Sequence, residues 1–391
     1  MQKQELFSYI DAKKDYLLDL AWQIFDKPEA DGQEYFAAGL LSNALKDQGF
    51  EVEMGVGGLE TAFRATWSNA GGGVNIGILG EYDALVQKGH ACGHHMQTPA
   101  AIGAVMAVKA AVEGTDIPCT LTVYGTPAEE TFGGKIVMIE NGAFRELDVA
   151  LSTHAATKTA FVAGSSMALI SFDVHYHGVS AHASARAYEG KSAGDAMLLS
   201  FNAVEFMREH VKDGTRMHYT IKEALAPANV VPPTAWGRYT LRSGDNSYLP
   251  ELERRFRNIV QGACLMTDTT ATIEKRPTFE ARQVNQVLRA VAMENLKALE
   301  GLPVDEELHN SGGSTDFGNV TRIVPSVMFD LPYCDAPGHS DEWVAAGKTQ
   351  QAVDCTLHSA KALAGVMYDL VTQPELAKKA REEFLGKHGQ T

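Results

Sequence analysis

Cysteine is scarce and odd in number: five in 391 residues, at positions 92, 119, 264, 334 and 355. An odd, scattered set does not build a disulfide framework, so a reducing compartment is expected. Long apolar runs are missing too. The longest, Pro99 to Val108, is about half of what a bilayer span requires, which excludes a transmembrane helix. The opening stretch, MQKQELFSYIDAKKDYLL, carries charges of both signs without a signal-like apolar block, and the expected location is the cytoplasm. Positive charge is in deficit, with 34 Lys and Arg against 49 Asp and Glu and a formal net charge of −15. Such a chain repels phosphate backbones and anionic surfaces, so neither nucleic acid nor membrane is an expected partner. Several chemical motifs are absent as well: there is no HExxH pair, no P-loop and no CxxC. Gly55-Val56-Gly57-Gly58 lacks the third glycine and the acidic partner of a dinucleotide site, and Gly164-Ser165-Ser166 lacks the spacing of a nucleophile elbow. No internal repeat is present.

What remains is ordinary globular material, 45% hydrophobic and 21% charged. It is enough for a sizeable core and, at about 150 residues per domain, for two or three domains. Tyr16, Leu17, Leu20, Ile24 and Phe25 share one helical face, and Phe36, Leu40, Leu41 and Leu45 share the next. The short apolar runs FEVEMGV, TAFRATW, VNIGILG, TLTVYGT and DVALSTH read as strands, and the Ala/Gly-rich segment Pro99 to Val112 reads as a helix packed closely on a sheet. This alternation predicts an α/β fold: a mixed, mainly parallel sheet flanked by helices. The texture changes near Met167. SFDVHYHGVSAH alternates strictly, which suits an antiparallel sheet with one buried face. A helix is expected from Ser192 to His210, with strands at Met217–Leu225, Trp236–Arg242 and Thr270–Lys275. The α/β texture then resumes with the strand VPSVMFDLP and a helix from Trp343 to Leu370. The economical reading is a catalytic domain of residues 1–167 and 279–391, interrupted by an inserted α+β domain of residues 168–278.

Ligands of open α/β sheets sit beyond the carboxyl ends of the strands. Beyond VNIGILG come Glu81, Asp83 and the run His90-Ala91-Cys92-Gly93-His94-His95. Beyond TLTVYGTPA come Glu129 and Glu130, DVALST ends in His154, and SVMFDLPYCDAPG leads to His339. Cys, His and Glu together are borderline-soft ligands that suit zinc and admit manganese or cobalt. More than four candidates exceed the needs of one tetrahedral ion and point to two divalent metals about 3.5–4 Å apart. The adjacent pair Glu129-Glu130 divides naturally into one metal ligand and one proton shuttle.

With these residues in place the chain resembles the di-metal aminoacylase/carboxypeptidase metallopeptidase family, and within it the amidohydrolase branch of auxin-conjugate and aminobenzoyl-glutamate hydrolases. The resemblance runs from FDKPE at 25–29 through GEYDAL, HACGHH, GTPAEE and STH. It continues through AHASARAYEGKSAGDA and GGSTDFGNV to PGHSDEW. It implies a phosphorylase/hydrolase-like catalytic domain with an inserted ferredoxin-like lid and dimerisation domain. It further implies Cys92, His94, Glu130, His154 and His339 as metal ligands, Glu129 as general base and Asp83 as a carboxylate orienting a ligand. By the same resemblance His182 reaches into the active site of a dimer partner, and Asn229 and Arg242 bind polar groups of the substrate. The turn Gly312-Gly313-Ser314-Thr315-Asp316 makes a further substrate contact. Two positions depart from the family pattern: His95 stands where many members carry Asp, and Ala187 stands where a proline is usual.

The expected function is metal-dependent hydrolysis of an N-acyl amino acid or dipeptide-like amide. A metal-bridged water attacks, Glu129 takes its proton, and His182 helps to stabilise the oxyanion. The partners implied are a small-molecule substrate and a second copy of the chain, as a homodimer with a tetramer as the larger assembly. The alternative reaction at the same site is hydrolytic deamination of an aromatic or heterocyclic amine. A catalytically dead scaffold and a Cys92 nucleophile paired with His94 are the rivals from other classes. Blander readings hold elsewhere. Cys119, Cys264, Cys334 and Cys355 read as core residues, and His175 and His177 as a polar strand face. His90 and His95 stand between second-layer and substrate contacts, and Glu81 reads as a hydrogen-bonding group at a strand end.

Overall fold

Of the apolar runs, those that carry β-branched and small residues on both faces become the centre of a sheet. The computed structural model describes residues 3–224 and 226–388 and divides the chain into two units. The first comprises residues 1–165, 282–311 and 315–391, and the second comprises residues 166–281 with 312–314. These boundaries fall within three residues of 167/168 and 278/279, and the three-residue return, Gly312–Ser314, is an addition that periodicity does not reveal.

The first unit begins with helices α1 (Lys3–Ala12), α2 (Lys14–Asp26) and α3 (Tyr35–Asp47). There follow strands β1 (Glu51–Met54), β2 (Phe63–Asn69) and β3 (Val74–Gly80), helix α4 (Gln97–Val112), strand β4 (Cys119–Gly125), helix α5 (Gly134–Glu140) and strands β5 (Val149–Ala156) and β6 (Phe161–Val162). The inserted unit contributes β7 (Ala168–His177), α6 (Ala193–Arg208), β8 (Arg216–Glu223), β9 (Thr234–Ser243), α7 (Leu249–Thr267) and β10 (Thr270–Lys275). The chain then returns with α8 (Gln286–Lys297), α9 (Phe317–Val320), β11 (Ser326–Pro332), α10 (Asp341–Ala345), α11 (Gln350–Thr372) and α12 (Pro374–His388). The strand expected at Met217–Leu225 ends on Leu225, which lies outside the described residues, as do Met1 and Gln2 of the charged opening stretch. The single helix expected from Trp343 to Leu370 is two helices. A 3₁₀ turn at residues 346–348 separates them, its Gly347 packed so closely that a Cβ would lie 2.0 Å from the Phe25 ring, and Thr349 starts the second helix by accepting from the Ala352 amide.

The seven-stranded sheet has the order β1-β2-β4-β3-β5-β11-β6. Its four central strands, β4, β3, β5 and β11, run parallel, while β1, β2 and β6 close the two edges antiparallel. Helix α4 is almost wholly buried. Its Gly103 lets α2 approach so closely that a Cβ would stand 2.6 Å from the Leu17 side chain. That close approach is what the Ala/Gly-rich composition foreshadows. Strands β4 and β5 lie on opposite sides of β3: α4 connects β3 to β4 on one side, and the chain then crosses back from β4 to β5 on the other. This is the topological switch at which open α/β sheets bind ligands beyond the strand ends.

The inserted unit follows the order β7-α6-β8-β9-α7-β10 and forms an antiparallel sheet β10-β7-β9-β8, a ferredoxin-like α+β arrangement. Phe172, Val174 and Tyr176 of β7 enter its core beside Tyr239, Leu252 and Phe256. Asp173, His175 and His177 take the other face, as the alternation requires. Among the described residues of both units, no helix is long and apolar enough to cross a membrane.

Candidate metal centre

The carboxyl ends of the parallel strands bring chemistry-bearing residues of the first unit together. Beyond β3 the chain places Glu81 and Asp83, and then turns through Cys92 and His94. Gly93, between them, has φ 82°, and a Cβ there would come within 2.9 Å of Ala155, so the turn needs glycine. Beyond β4, the Thr126 amide donates to the Gly80 carbonyl at 2.9 Å, tying the two strand ends together. Ala128 then adopts φ 59°, an unfavourable conformation for a residue with a Cβ, and hands the chain to Glu129 and Glu130. Gly134 closes that turn, where a Cβ would sit 1.9 Å from the Pro127 carbonyl oxygen. His154 lies in β5. His339, at φ 64°, is fixed when its amide donates to the Ala91 carbonyl at 2.9 Å.

Two donor groups result, each with ligand atoms mutually within 4.8 Å: Cys92, His94 and His154, and Cys92, Glu130 and His339. Cys92 belongs to both. Its Sγ is 3.3 Å from His154 Nε2, and His339 Nε2 is 3.5 Å from Glu130 Oε1. A third group joins His94, Glu129 and Glu130. Asp83 bridges the segments: Oδ1 meets His94 Nδ1 at 3.0 Å and Oδ2 accepts from the Glu130 amide at 3.0 Å. That contact directs His94 Nε2 into the donor cluster, the role a second-layer carboxylate plays at metal sites. His94 Nε2 and Glu130 Oε1 are buried and make no hydrogen bond. Buried polar atoms are rarely left so. Together with the thiol–imidazole–carboxylate donor set, these orphaned atoms fit a pair of borderline divalent ions.

The electrostatics agree. Burial alone would raise the Cys92 thiol, but the charges of His94 and His154 and hydrogen bonding to His154 and His339 overcome it and bring the thiol to about 6. Burial opposes charging of His154, yet the Cys92 thiolate raises it to about 10. Glu129 differs from its neighbour: burial first, then the charges of Glu81, Asp316 and Glu130, push its carboxyl well above the usual range. Glu130 is held below that range, because the neighbouring His339 and the charge of His94 outweigh its burial.

Other expected residues lie elsewhere. His95 and His90 are buried behind the cluster and belong to none of the donor groups: His95 Nε2 meets the Gly347 carbonyl at 3.2 Å and His90 Nε2 the Ile24 carbonyl at 3.1 Å. Burial keeps both neutral, with His95 lowered to about 3. His182, Asn229 and Arg242 belong to the inserted unit. There His182 pairs with Val230, and the Ala183 amide donates to the Asn229 carbonyl at 2.9 Å, which brings His182 and Asn229 together. Arg242 sits on β9, where its guanidinium donates to Ser314 Oγ at 2.9 Å. His175 stacks on Trp236 at 5.1 Å between ring centroids. Ala187 is exposed in a short 3₁₀ turn.

Lys135 has no counterpart in the sequence expectations. It is fully buried, with Nζ 2.5 Å from Glu81 Oε1 and 2.6 Å from Asp316 Oδ1. Asp316, at the end of the expected substrate-contacting turn, therefore points into the interior of the first unit. A lysine opening a helix reads as solvated, and only the spacing Glu-Glu-x-x-Gly-Gly-Lys, which forces an immediate tight turn, hints otherwise.

Known proteins are similar over most of the chain. The profile of Peptidase family M20/M25/M40 matches residues 77–362. The Xaa-Arg dipeptidase of Mus musculus is 33% identical over 399 residues, spanning 98% of this chain and 92% of the mouse protein. One of the subunits of the p-aminobenzoyl-glutamate hydrolase of Escherichia coli K12 is 33% identical over 290 residues, spanning 68% of this chain and 60% of that protein. Among solved structures, a dinuclear metal binding peptidase of the M20 family from Bacillus subtilis superposes with a TM-score of 0.68 at 17% identity. That match covers 92% of this chain and 99% of the other, and it speaks for the fold.

Proposed function

This chain belongs to peptidase family M20/M25/M40 and is a metal-dependent hydrolase of amide bonds, and we propose that it cleaves a dipeptide-like or N-acyl amino acid substrate carrying a free carboxylate. The observation that carries the reading is the pair of donor groups sharing Cys92, with Glu129 beside them. Cys92, His94, Glu130, His154 and His339 would hold two divalent ions, with zinc the first to test because of the thiolate, and manganese or cobalt next. Bound there, the ions would supply Lewis acidity to the carbonyl and lower the pKa of the attacking water.

The chain's own residues do the rest. A Glu129 carboxylate oxygen takes the proton of the water and returns it to the leaving amine. His182 Nδ1 faces the amides of Ser184 and Ala185 at 3.4 and 3.3 Å. Its proton is therefore on Nε2, where it can donate to an oxyanion in a second copy's site. Arg242 is half-buried and makes no ion pair among the described residues, and burial alone lowers its pKa. An unpaired guanidinium of this kind suits the carboxylate of the substrate. Asn229, exposed on its loop, would bind a neighbouring polar group. Dipeptides ending in arginine are the first to try, since a relative spanning nearly the whole chain is named for them.

A homodimer is the proposed assembly. Strand β8 is one of the two edges of the inserted sheet. Ile221 on β8 and Phe206 on α6 are 54% and 75% exposed, which is the kind of edge a second copy covers. A cytoplasmic location is supported by five free thiols. The test is a hydrolysis screen of dipeptides, N-acyl amino acids and aromatic amides with metal-reconstituted enzyme, scored for amine and for ammonia. Equal release of carboxylate and amine supports amide cleavage. Ammonia from an aromatic or heterocyclic amine, without a new carboxylate, would make the enzyme a deaminase instead.

A further inference from the structure

One buried carboxylate stands close to the donor cluster without belonging to the proposed ligand set. Glu81 Oε2 lies 3.1 Å from His94 Nε2, the nitrogen that makes no hydrogen bond. Two atoms bound to one ion at about 2.0–2.2 Å lie roughly 3 Å apart, so Glu81 is within reach of any ion held by His94. Each of its oxygens is, however, held by a donor that draws it away from the ion's side. Oε1 accepts from Lys135 Nζ at 2.5 Å and Oε2 from Gln97 Nε2 at 2.7 Å. Lys135 is itself anchored, since Nζ donates to Asp316 Oδ1 at 2.6 Å and its amide donates to Asp316 Oδ2 at 2.9 Å. All three members of this ion triad are buried to within 1%.

We propose that Lys135, together with Gln97, is a positioning residue that keeps Glu81 out of the coordination sphere of the metal, leaving the place Glu81 would take open for water and substrate. The proposal rests on the assignment of His94 and Cys92 as metal ligands. An active hydrolytic site needs such an open place, whereas a structural site is closed by protein ligands. The charge balance supplies the driving force. Oxygens of Glu81, Glu129 and Asp316 lie within 4.8 Å of one another, and Lys135 is the cation between them. A buried carboxylate that loses its counter-ion seeks another. For Glu81 the nearest is an ion on His94.

The test uses full-length protein loaded with Co²⁺. Lys135→Met should lower kcat by about 10- to 100-fold, the range for groups that orient a metal site, with KM within about twofold. The visible Co²⁺ absorption should weaken as the coordination number rises, and a chelator should withdraw the ion more slowly. Lys135→Met combined with Glu81→Gln should regain at least about tenfold in kcat over the single variant and recover the wild-type spectrum. An unchanged spectrum in Lys135→Met, or a double variant no better than the single one, overturns the proposal. Where Lys135→Met does not fold, Gln97→Leu frees the other oxygen of Glu81 and must produce the same spectral change. The ligand assignment fails separately: a wild-type Co²⁺ spectrum lacking a thiolate band that Cys92→Ser abolishes would remove it, and the proposal with it.

Discussion

Glu129 and Glu130 are neighbours in the chain with opposite surroundings. Glu130 faces His339, while Glu129 is pressed among carboxylates. Glu129→Gln keeps shape and volume but cannot take a proton. It should retain wild-type metal content by elemental analysis while kcat falls by about 10²- to 10⁴-fold. Undiminished turnover would remove the base assignment. A second buried carboxyl acts on stability. Glu34 is fully buried, and burial, reinforced by the charge of Asp83, raises its pKa from 4.5 to about 7. A carboxyl whose folded pKa is raised costs nothing while protonated in both states below pH 4.5, and it destabilises the fold progressively as pH climbs to about 7. The full cost is about 3 kcal/mol, at 1.36 kcal/mol per unit. Glu34→Gln should therefore flatten the loss of stability between pH 4.5 and 7 and leave the protein more stable at pH 8. Urea melts at pH 5 and pH 8 measure the difference, and equal slopes for both proteins would refute it.

At the scale of elements, the strands were written in apolar runs. Thr270–Lys275 is recovered residue for residue, and β3 matches VNIGILG in full. The break before α11 was not: it falls at a 3₁₀ turn whose Gly347 packs on Phe25, 322 positions earlier in the chain. The same distinction divides the site. Cys92, His94, Glu129, Glu130 and His339 follow strands and His154 lies near the carboxyl end of β5, so a local rule about strand ends gathers them. Lys135 follows no such rule. Its burial appears only when Asp316, 181 residues downstream, is placed against it. Helix α3 illustrates a remote cap. Glu29, in the FDKPE segment, accepts the Phe36 and Ala37 amides at 3.1 and 3.0 Å, satisfying two donors that a helix start leaves open. Glu29→Ala should cost about 1–2 kcal/mol in chemical denaturation, comparable to loss of a good N-cap. A change below a few tenths would show that water replaces the carboxylate without loss.

For the whole molecule, the proposed dimer makes each site depend on two chains. Glu129→Gln and His182→Ala should each be inactive alone. Mixed under conditions that exchange subunits, they should recover about a quarter of wild-type activity: half the dimers are hybrid, and each hybrid holds one site with both residues intact. No recovery, in hybrids verified by native mass spectrometry, would place His182 in its own chain's site or in none.

The proposed metal donors also arrive at very different moments of synthesis. Cys92 and His94 leave the ribosome early, and His339 follows 247 residues later. At about 5–20 residues per second that is an interval of roughly 12–50 s. Because β11, which leads to His339, pairs with β5 only after the entire inserted unit has been made, the donor group that includes His339 is completed late in synthesis, well after Cys92, His94 and His154 are all present. A chain truncated before His339 should therefore keep Cys92, His94 and His154 together while lacking the partner that faces Glu130.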